Sequence, residues 1–416
     1  IGKHALKSNT TAEAGVAIGE FALTANTTGA RNVAIGSSTL RVNTTAAGNT
    51  AVGYQASRYN TSGAANTSLG DRALTANTTG GDNVAVGSLA LTANTTGARN
   101  IAIGANAYDA SDTEGDNIAI GYDAMTTNTA GGTKNIAIGN YALDALTSGD
   151  TNTAVGHNAM TLHTTGANNV AVGERALAAS TTGAQNTAIG GTALIALTTG
   201  ASNTAVGYAA ASATTTAANN TAVGLSALAT NVTGAGNTAI GKDSLKVSLG
   251  NNNTAVGMNA LLANTTGGSN VAIGQGALDS STTASANVAV GEGTLAAVTT
   301  ASENTAVGHT AGTVTTGRRN TFVGFCSGKA NTSGYNNTFV GSDVGLANID
   351  GYQNVAVGER TLEANTSGDN NTAVGHMALQ ANTTANDNTA IGFNAMKANT
   401  TGADNVAVGP YALDAL

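Results

Sequence analysis

Apolar and polar positions follow one another along this chain in a repeat of seventeen residues. The repeat reads Asn-Thr-Ala-Val-Gly, two variable residues, Ala-Leu, one variable residue, Ala-Asn-Thr-Thr-Gly and two more. We number its positions from 1, the opening Asn, to 17. Position 1 is Asn in one copy after another, among them Asn32, Asn49, Asn83 and Asn405.

The period slips at three places. One repeat has eighteen residues, from Asn117 to Asn135, and two have sixteen, one of them from Asn304 to Asn320. A unit this short cannot enclose a core alone, so successive copies must stack and bury their apolar positions against one another. We therefore predict one continuous solenoid domain over 1–416, with atypical coils at 304–353 and with any extra residue placed at a corner.

Short β-branched runs punctuated by Gly, Asn and Thr predict strands rather than helices. Positions 2 to 4 form a first strand that ends at the Gly of position 5, and positions 8 to 11, such as 73–76, are predicted to form a second. The position 5 glycines are expected where φ is positive or a Cβ has no room, as at Gly36, Gly53 and Gly87. The position 1 asparagines are expected to turn corners in left-handed backbone and to form amide ladders.

The predicted fold is therefore an all-β parallel β-solenoid of about 24 coils, or a rod of about 115 Å at about 4.8 Å per coil. Position 3 would point into the coil and positions 2 and 4 out of it. Position 4 is nonetheless always Val, Ile or Leu. Because soluble monomers rarely expose long apolar stripes, we predict that identical chains pack side by side through this face.

Large and small residues change places in two neighbouring repeats. Position 3, usually Ala, is Phe322 and Phe339, whereas position 9, usually Leu, is Gly328 and Gly345. Cores tolerate substitutions that conserve volume better than others. Positions 3 and 9 are therefore predicted to share a packing layer, although Gly312 occupies position 9 with no Phe in its own repeat.

Composition excludes several classes of protein. Net charge is -8 and the 16 basic residues are scattered, which argues against nucleic-acid binding. Aromatic residues make up 3% of the chain and Trp is absent, so a core of bulky side chains is excluded. The single Cys326 forms no intrachain disulfide. No apolar run approaches the roughly 18 residues of a membrane span, so no membrane insertion is expected. Since the chain begins and ends within a repeat, we expect a segment of a longer protein.

Candidate chemistry is sparse. His157, His309 and His376 all occupy position 6, but several coils separate them, so no metal site is predicted. No catalytic set stands apart from the repeat, and we predict neither an enzyme nor a cofactor. Asn-Thr-Thr, as at Asn77, matches the glycosylation acceptor but is interpreted as a corner of the coil.

The stretch from 312 to 352 departs most from the repeat. It contains Arg318, Arg319, Tyr335 and Tyr352. One interpretation is a set of repacked coils with no binding role. The other is a local patch for a cell-surface glycan or protein receptor, because Arg and aromatic side chains are favoured at such contacts.

The run Val-Ala-Ile-Gly at 33–36, with its Thr-Ala-Val-Gly variant at 50–53, resembles the head repeats of trimeric autotransporter adhesins. The longer unit, as at 66–80 or 371–384, is similar to repeats of bacteriophage tail fibres. The resemblance covers essentially the whole chain. It implies a left-handed parallel β-roll, three subunits to a fibre, and a role in gripping a cell surface.

The function expected from this resemblance is a structural and adhesive shaft, part of a virion tail fibre that attaches to a host cell. The head of a bacterial trimeric adhesin, on an extracellular cell surface, is the alternative. An ice-binding solenoid is the third candidate. It is disfavoured because adjacent threonines, as at Thr27 and Thr28, point to opposite sides of a strand.

Overall fold

The computed structural model describes residues 1–128 and 131–414. Over these residues the chain is an all-β parallel solenoid with no helix, which confirms the predicted fold class. It comprises two compact units, Ile1–Tyr208 and Ala209–Leu416. The single continuous domain over 1–416 stays a prediction.

Each complete coil contributes one strand of three residues, always at positions 2 to 4. The first unit contains β1 Val16–Ile18, β2 Val33–Ile35, β3 Thr50–Val52, β4 Thr67–Leu69, β5 Val84–Val86, β6 Ile101–Ile103, β7 Ile118–Ile120, β8 Ile136–Ile138, β9 Thr153–Val155, β10 Val170–Val172, β11 Thr187–Ile189 and β12 Thr204–Val206. The second unit contains β13 Thr221–Val223, β14 Thr238–Ile240, β15 Thr254–Val256, β16 Val271–Ile273, β17 Val288–Val290, β18 Thr305–Val307, β19 Thr321–Val323, β20 Thr338–Val340, β21 Val355–Val357, β22 Thr372–Val374, β23 Thr389–Ile391 and β24 Val406–Val408.

Within each unit, every strand pairs in parallel with the next, and residues at the same repeat position face each other. Ala171 of β10, for example, pairs with Ala188 of β11. The Ala of position 3 is buried in the coil, together with the Ala of position 8 and the Leu of position 9, such as Ala176 and Leu177. Residues of these three positions pack into one core cluster, as Ala34, Ala22 and Leu23 do.

The second strand predicted at positions 8 to 11 is wrong. Those residues form consecutive tight turns, because positions 7 and 9 have left-handed backbone, as at Arg72 (φ 53°) and Leu74 (φ 53°). The N–H of Asn77 closes one turn on Leu74 O (3.4 Å), and Leu74 N–H donates across coils to Ala90 O (2.9 Å). Alternating left-handed residues therefore replace an extended strand and direct both Ala73 and Leu74 into the core.

The glycines of position 5 are required by both backbone conformation and space. At Gly53, φ is +135°, and a Cβ would lie 2.2 Å from the carbonyl oxygen of Gly70 in the next coil. The same arrangement recurs at Gly36 and Gly87. Neighbouring coils therefore touch backbone to backbone at this position.

The asparagines of position 1 connect coil to coil from inside the solenoid. Asn49 donates its backbone N–H to Asn32 Oδ1 (2.9 Å). Asn83 donates its N–H to Asn66 Oδ1 (2.9 Å) and its Nδ2 to Gly97 O of the next corner (2.9 Å). The left-handed residue at this corner is position 17, which precedes the Asn, and the asparagine itself is not left-handed. The Asn side chains are thus buried ladder residues.

Position 12 carries a second ladder where successive coils both have Asn there, with the Nδ2 of one Asn donating to the Oδ1 of the Asn in the preceding coil. Asn43 donates to Asn26 (2.8 Å), and Asn77 donates to Asn60 (2.8 Å). These are the asparagines of the Asn-Thr-Thr and Asn-Thr-Ser corners, and their side chains are buried. In the folded chain their amides are bonded inside the coil and are inaccessible to glycosylation.

The extra residue of the eighteen-residue coil lies at a corner. In regular coils the position 12 side chain donates to a carbonyl three residues later, whereas Asn128 Nδ2 donates to Gly132 O, four residues later (2.8 Å). The strands on either side keep their register, with Ile118 paired to Ile136. The insertion is thereby absorbed between Asn128 and Gly132.

Glu114 anchors this enlarged corner from the coil before it. Its buried carboxylate accepts hydrogen bonds from the backbone N–H groups of Asp112 (3.2 Å), Thr113 (3.1 Å) and Gly131 (3.0 Å). Beside it, Tyr108 replaces the usual Leu of position 9, and burial raises the pKa of its hydroxyl. The hydroxyl accepts a hydrogen bond from Asn128 Nδ2 (3.1 Å). The position 1 ladder continues across the insertion, since Asn135 N–H donates to Asn117 Oδ1 (2.8 Å).

The structure brings positions 3 and 9 together, as the exchange of volume predicts. A Cβ on Gly328 would lie 2.6 Å from the ring of Phe322, and a Cβ on Gly345 would lie 2.4 Å from the ring of Phe339. Gly312 also borders Phe322, which belongs to the following coil (2.7 Å from a Cβ). The partners of position 9 therefore include the next coil, which accounts for Gly312.

Restoring the usual Ala at position 3 and Leu at position 9 should be tolerated only when both substitutions are made together. Phe339→Ala alone is expected to destabilise the chain by about 3 kcal/mol by opening a cavity, and Gly345→Leu alone by about 2 kcal/mol by overpacking. The double variant should recover more than half of the summed loss, because Leu then fills the space of the ring. Urea unfolding followed by circular dichroism measures this coupling, and additive losses would contradict it.

Candidate ligand-binding notch

The coil from Asn304 to Asn320 lacks position 14, and its corner is reduced to Thr316 and Gly317. Both residues donate their N–H groups to Thr332 O of the next coil, at 2.6 Å and 2.9 Å. The coils on either side keep position 14. The short corner is therefore set back between two full corners.

A groove of about 420 Å³ opens at this set-back corner. Its lining comprises Thr300, Ala301, Ser302, Thr316, Gly317, Arg318, Ser333 and Tyr335. We call it the notch. Hydroxyl groups from three consecutive coils, one guanidinium and one aromatic ring thus face a single depression on the surface.

Three of the four sequence-predicted patch residues occupy position 16 of consecutive coils. These are Arg318, Tyr335 and Tyr352. The rings of Tyr335 and Tyr352 stack with centroids 4.9 Å apart and planes 4° from parallel. Asp369, at the same position one coil further, accepts the Tyr352 backbone N–H (2.9 Å), and its negative charge raises the pKa of the Tyr352 hydroxyl.

Arg319 is placed differently from the other three. It occupies position 17 with left-handed backbone (φ 59°), and its Nε donates to Glu303 Oε2 (2.6 Å). Both side chains are more than half exposed, so this ion pair contributes little to stability. Arg319 is thus paired along the coils, while Arg318 lines the notch.

The histidines of position 6 contact other rings on the surface. His157 lies edge-on to Tyr141, with ring centroids 6.1 Å apart. His309 stacks on Phe325 with centroids 5.6 Å apart, and His376 stacks on Phe393 at 5.3 Å. Among the residues that the structure describes, no group of three or more His, Cys, Asp or Glu side chains is arranged to hold a metal ion. Position 6 is therefore a partly aromatic surface column.

Sequence reasoning missed the notch itself and the hydroxyl side chains Thr300 and Ser333 at its sides. The available signal was the sixteen-residue spacing from Asn304 to Asn320, whose missing position lies two residues before Arg318. A deletion at a corner leaves an indentation there. The spacing and the unusual residues together mark the site more clearly than either does alone.

Two findings bear on the wider class of the protein. Within residues 1–128 and 131–414, no helix is long and apolar enough to cross a membrane. In comparisons with known proteins, no family model and no curated protein matches the chain.

Proposed function

We propose that this chain is a structural and adhesive fibre segment whose copies associate through the outer face of the strands. The observation that carries the proposal is the apolar character of that face. Positions 2 and 4 bear Val, Ile, Leu or Thr in every strand, and no charged residue. Residues of position 4 such as Ile189 and Ile273 are 40% exposed. A repeated, uncharged surface with an aliphatic row at position 4 is typical of interfaces between subunits.

The proposed assembly is a homotrimer with left-handed coils, as the resemblance to trimeric adhesin heads and tail-fibre repeats implies. Three apolar faces can meet around one axis and cover each other. The proposed setting is a virion tail fibre that attaches to a host cell surface, or, as the alternative, the head of a bacterial surface adhesin. Ladders of hydrogen bonds between successive coils, on both the strand and the corner sides, support a stiff shaft.

The ice-binding alternative receives less support. The hydroxyls of position 13 donate to the next coil, as where Thr27 Oγ1 donates to Thr44 O (3.0 Å) and Thr78 Oγ1 donates to Thr95 O (3.0 Å). A hydroxyl committed to the neighbouring coil is less available to a lattice of water. An ice-recrystallisation assay on the purified chain would test this directly.

The association is tested by charging the outer face. Light scattering of the purified chain should give about three times the chain mass of 40.3 kDa. The double variant Ile240→Lys/Ile273→Lys should shift that mass toward one chain, because buried unpaired lysines are costly at an interface. Both side chains are exposed in the single chain, at 39% and 40%, so the coils themselves should still form.

Leu162→Lys is the matched control, because Leu162 is 54% exposed at position 11, away from the strands. It should leave the mass unchanged. A wild-type chain that sediments as a single 40.3 kDa species would refute the proposed assembly. Negative-stain images should show slender particles, and compact particles would contradict a fibre.

A further inference from the structure

We propose that the notch binds a carboxylated sugar residue of a surface polysaccharide, with Arg318 holding the carboxylate and Tyr335 stacking on the sugar ring. The inference rests on the adhesive role proposed above and assigns it a ligand class and a place. Its first support is the shape of the site. A depression of about 420 Å³ lies within the range of small-ligand sites and accommodates one or two sugar units.

Arg318 supplies an uncommitted positive charge. In the described part of the chain, its exposed guanidinium takes part in no ion pair or side-chain hydrogen bond, whereas neighbouring Arg319 is paired with Glu303. The guanidinium matches a carboxylate through two parallel hydrogen bonds. The net charge of the chain is -8. An unpaired Arg in a groove of such a chain indicates that the ligand there is anionic.

Tyr335 supplies an aromatic surface fixed in place. One face of its ring is stacked on Tyr352, in the following coil, so the opposite face is turned toward the preceding coil and the notch. The Tyr352 backbone is in turn bonded to Asp369. A tyrosine held in this way binds with little further loss of conformational freedom. The apolar C–H face of a pyranose ring fits such a surface.

The hydroxyls complete a polar lining suited to a sugar. Thr300, Thr316 and Ser333 lie on three consecutive coils around the notch. Thr300 and Ser333 each offer both a donor and an acceptor, as sugar hydroxyls require. Thr316 Oγ1 already donates to Thr332 O (2.9 Å) and offers an acceptor only. One cation, one ring and several hydroxyls form a set that suits an acidic sugar better than an apolar peptide.

The chain contains its own comparison, since a second coil of sixteen residues runs from Asn237 to Asn253. It has the same shortened corner, here Leu249 and Gly250. Position 16 is Asn251 in this coil, Ala235 in the coil before it and Gly268 in the coil after it. A deletion therefore does not by itself call for Arg or Tyr at position 16, and their presence at the notch needs a separate reason.

Binding is tested with the full chain and defined saccharides by isothermal titration and saturation-transfer NMR. The probes are trigalacturonic acid, its fully methyl-esterified form, and a trimer of sialic acid. We expect at least one of the two acids to bind, and added salt should weaken its binding. If trigalacturonic acid binds, its methyl ester should bind at least fivefold more weakly. Failure of both acids to bind, or equal binding of acid and ester, would overturn the proposal.

Variants then assign the binding to the notch. Arg318→Gln should weaken acid binding about five- to tenfold, and Tyr335→Ala should weaken it at least as much. Arg31→Gln, an exposed Arg at position 17 in the other unit, is the control and should bind as wild type does. Unchanged affinity in Arg318→Gln would place the ligand elsewhere and refute the assignment.

Filling the notch is the sharper test, because it leaves every lining residue present. Inserting one threonine between Thr316 and Gly317 restores a full corner and should abolish acid binding. The same insertion between Leu249 and Gly250 should leave binding intact.

The two proposals can fail separately. If the chain is trimeric but binds neither acid, the saccharide proposal fails and the fibre proposal stands. If the chain is monomeric yet binds the acid at the notch, the assembly proposal fails and the binding site stands.

Discussion

Gly274→Ala is expected to destabilise the chain by more than about 4 kcal/mol. Gly274 occupies position 5 with φ +133°, a conformation almost restricted to glycine. A Cβ there would lie 2.5 Å from Gly291 O and 3.0 Å from the backbone nitrogen of Glu292, both in the next coil. Neither atom belongs to a flexible side chain, so relief requires the two coils to separate and the hydrogen bonds between them to lengthen.

Gly276→Ala is the matched control, two residues later in the same coil. Gly276 has φ +62° and meets no atom closer than 3.9 Å to a built Cβ. Ordinary residues adopt this conformation at the same position elsewhere, as Asn259 does (φ 59°). Its change in stability should stay within about 1 kcal/mol. Urea unfolding and hydrogen exchange compare the two, and equal losses would show that backbone contact between coils is not the cause.

The strands and their orientation follow from the sequence because each depends on a local and repeated pattern. A β-branched residue, usually an Ala, another branched aliphatic residue and a Gly recur at nearly constant spacing, and a stack with position 3 inward and positions 2 and 4 outward satisfies all copies. The pairing of Phe339 with Gly345 was also readable, since two exceptions to the repeat occurred together.

The turns at positions 7 and 9 could not be predicted in the same way. Left-handed backbone is usually marked by Gly or Asn, but here it is adopted by residues such as Arg72 and Leu74. The hydrogen bonds between coils and burial of the Leu side chain offset its local cost, and neither is visible within one repeat. The notch could not be predicted for a different reason. It arises from a deleted residue, and the only trace of that deletion in the sequence is the sixteen-residue spacing from Asn304 to Asn320.

Asn186→Leu is expected to cost about 3–5 kcal/mol, although it replaces a buried polar residue with an apolar one. Asn186 Oδ1 accepts the backbone N–H of Asn203 (3.0 Å), and its Nδ2 donates to Gly200 O (2.9 Å). Position 12 of the Gly200 coil is Leu197, which offers no side-chain donor in its place. The variant therefore leaves a buried donor and a buried acceptor without partners.

Asn264→Leu separates this effect from the loss of any buried asparagine. Asn264 occupies position 12, and its Nδ2 donates to Ser248 Oγ (3.1 Å), which also accepts the Gly250 N–H. The Oδ1 of Asn264 has no partner, and Gly267 O keeps a second donor in Asn253 Nδ2 (2.9 Å). Leucine already occupies position 12 naturally at Leu146 and Leu197, where it is buried. The substitution should therefore change the free energy of unfolding by less than about 1 kcal/mol. A comparable loss in both variants would mean that buried asparagines at positions 1 and 12 are equivalent. A large loss in Asn186→Leu alone would identify position 1 as the one on which stacking of the coils depends.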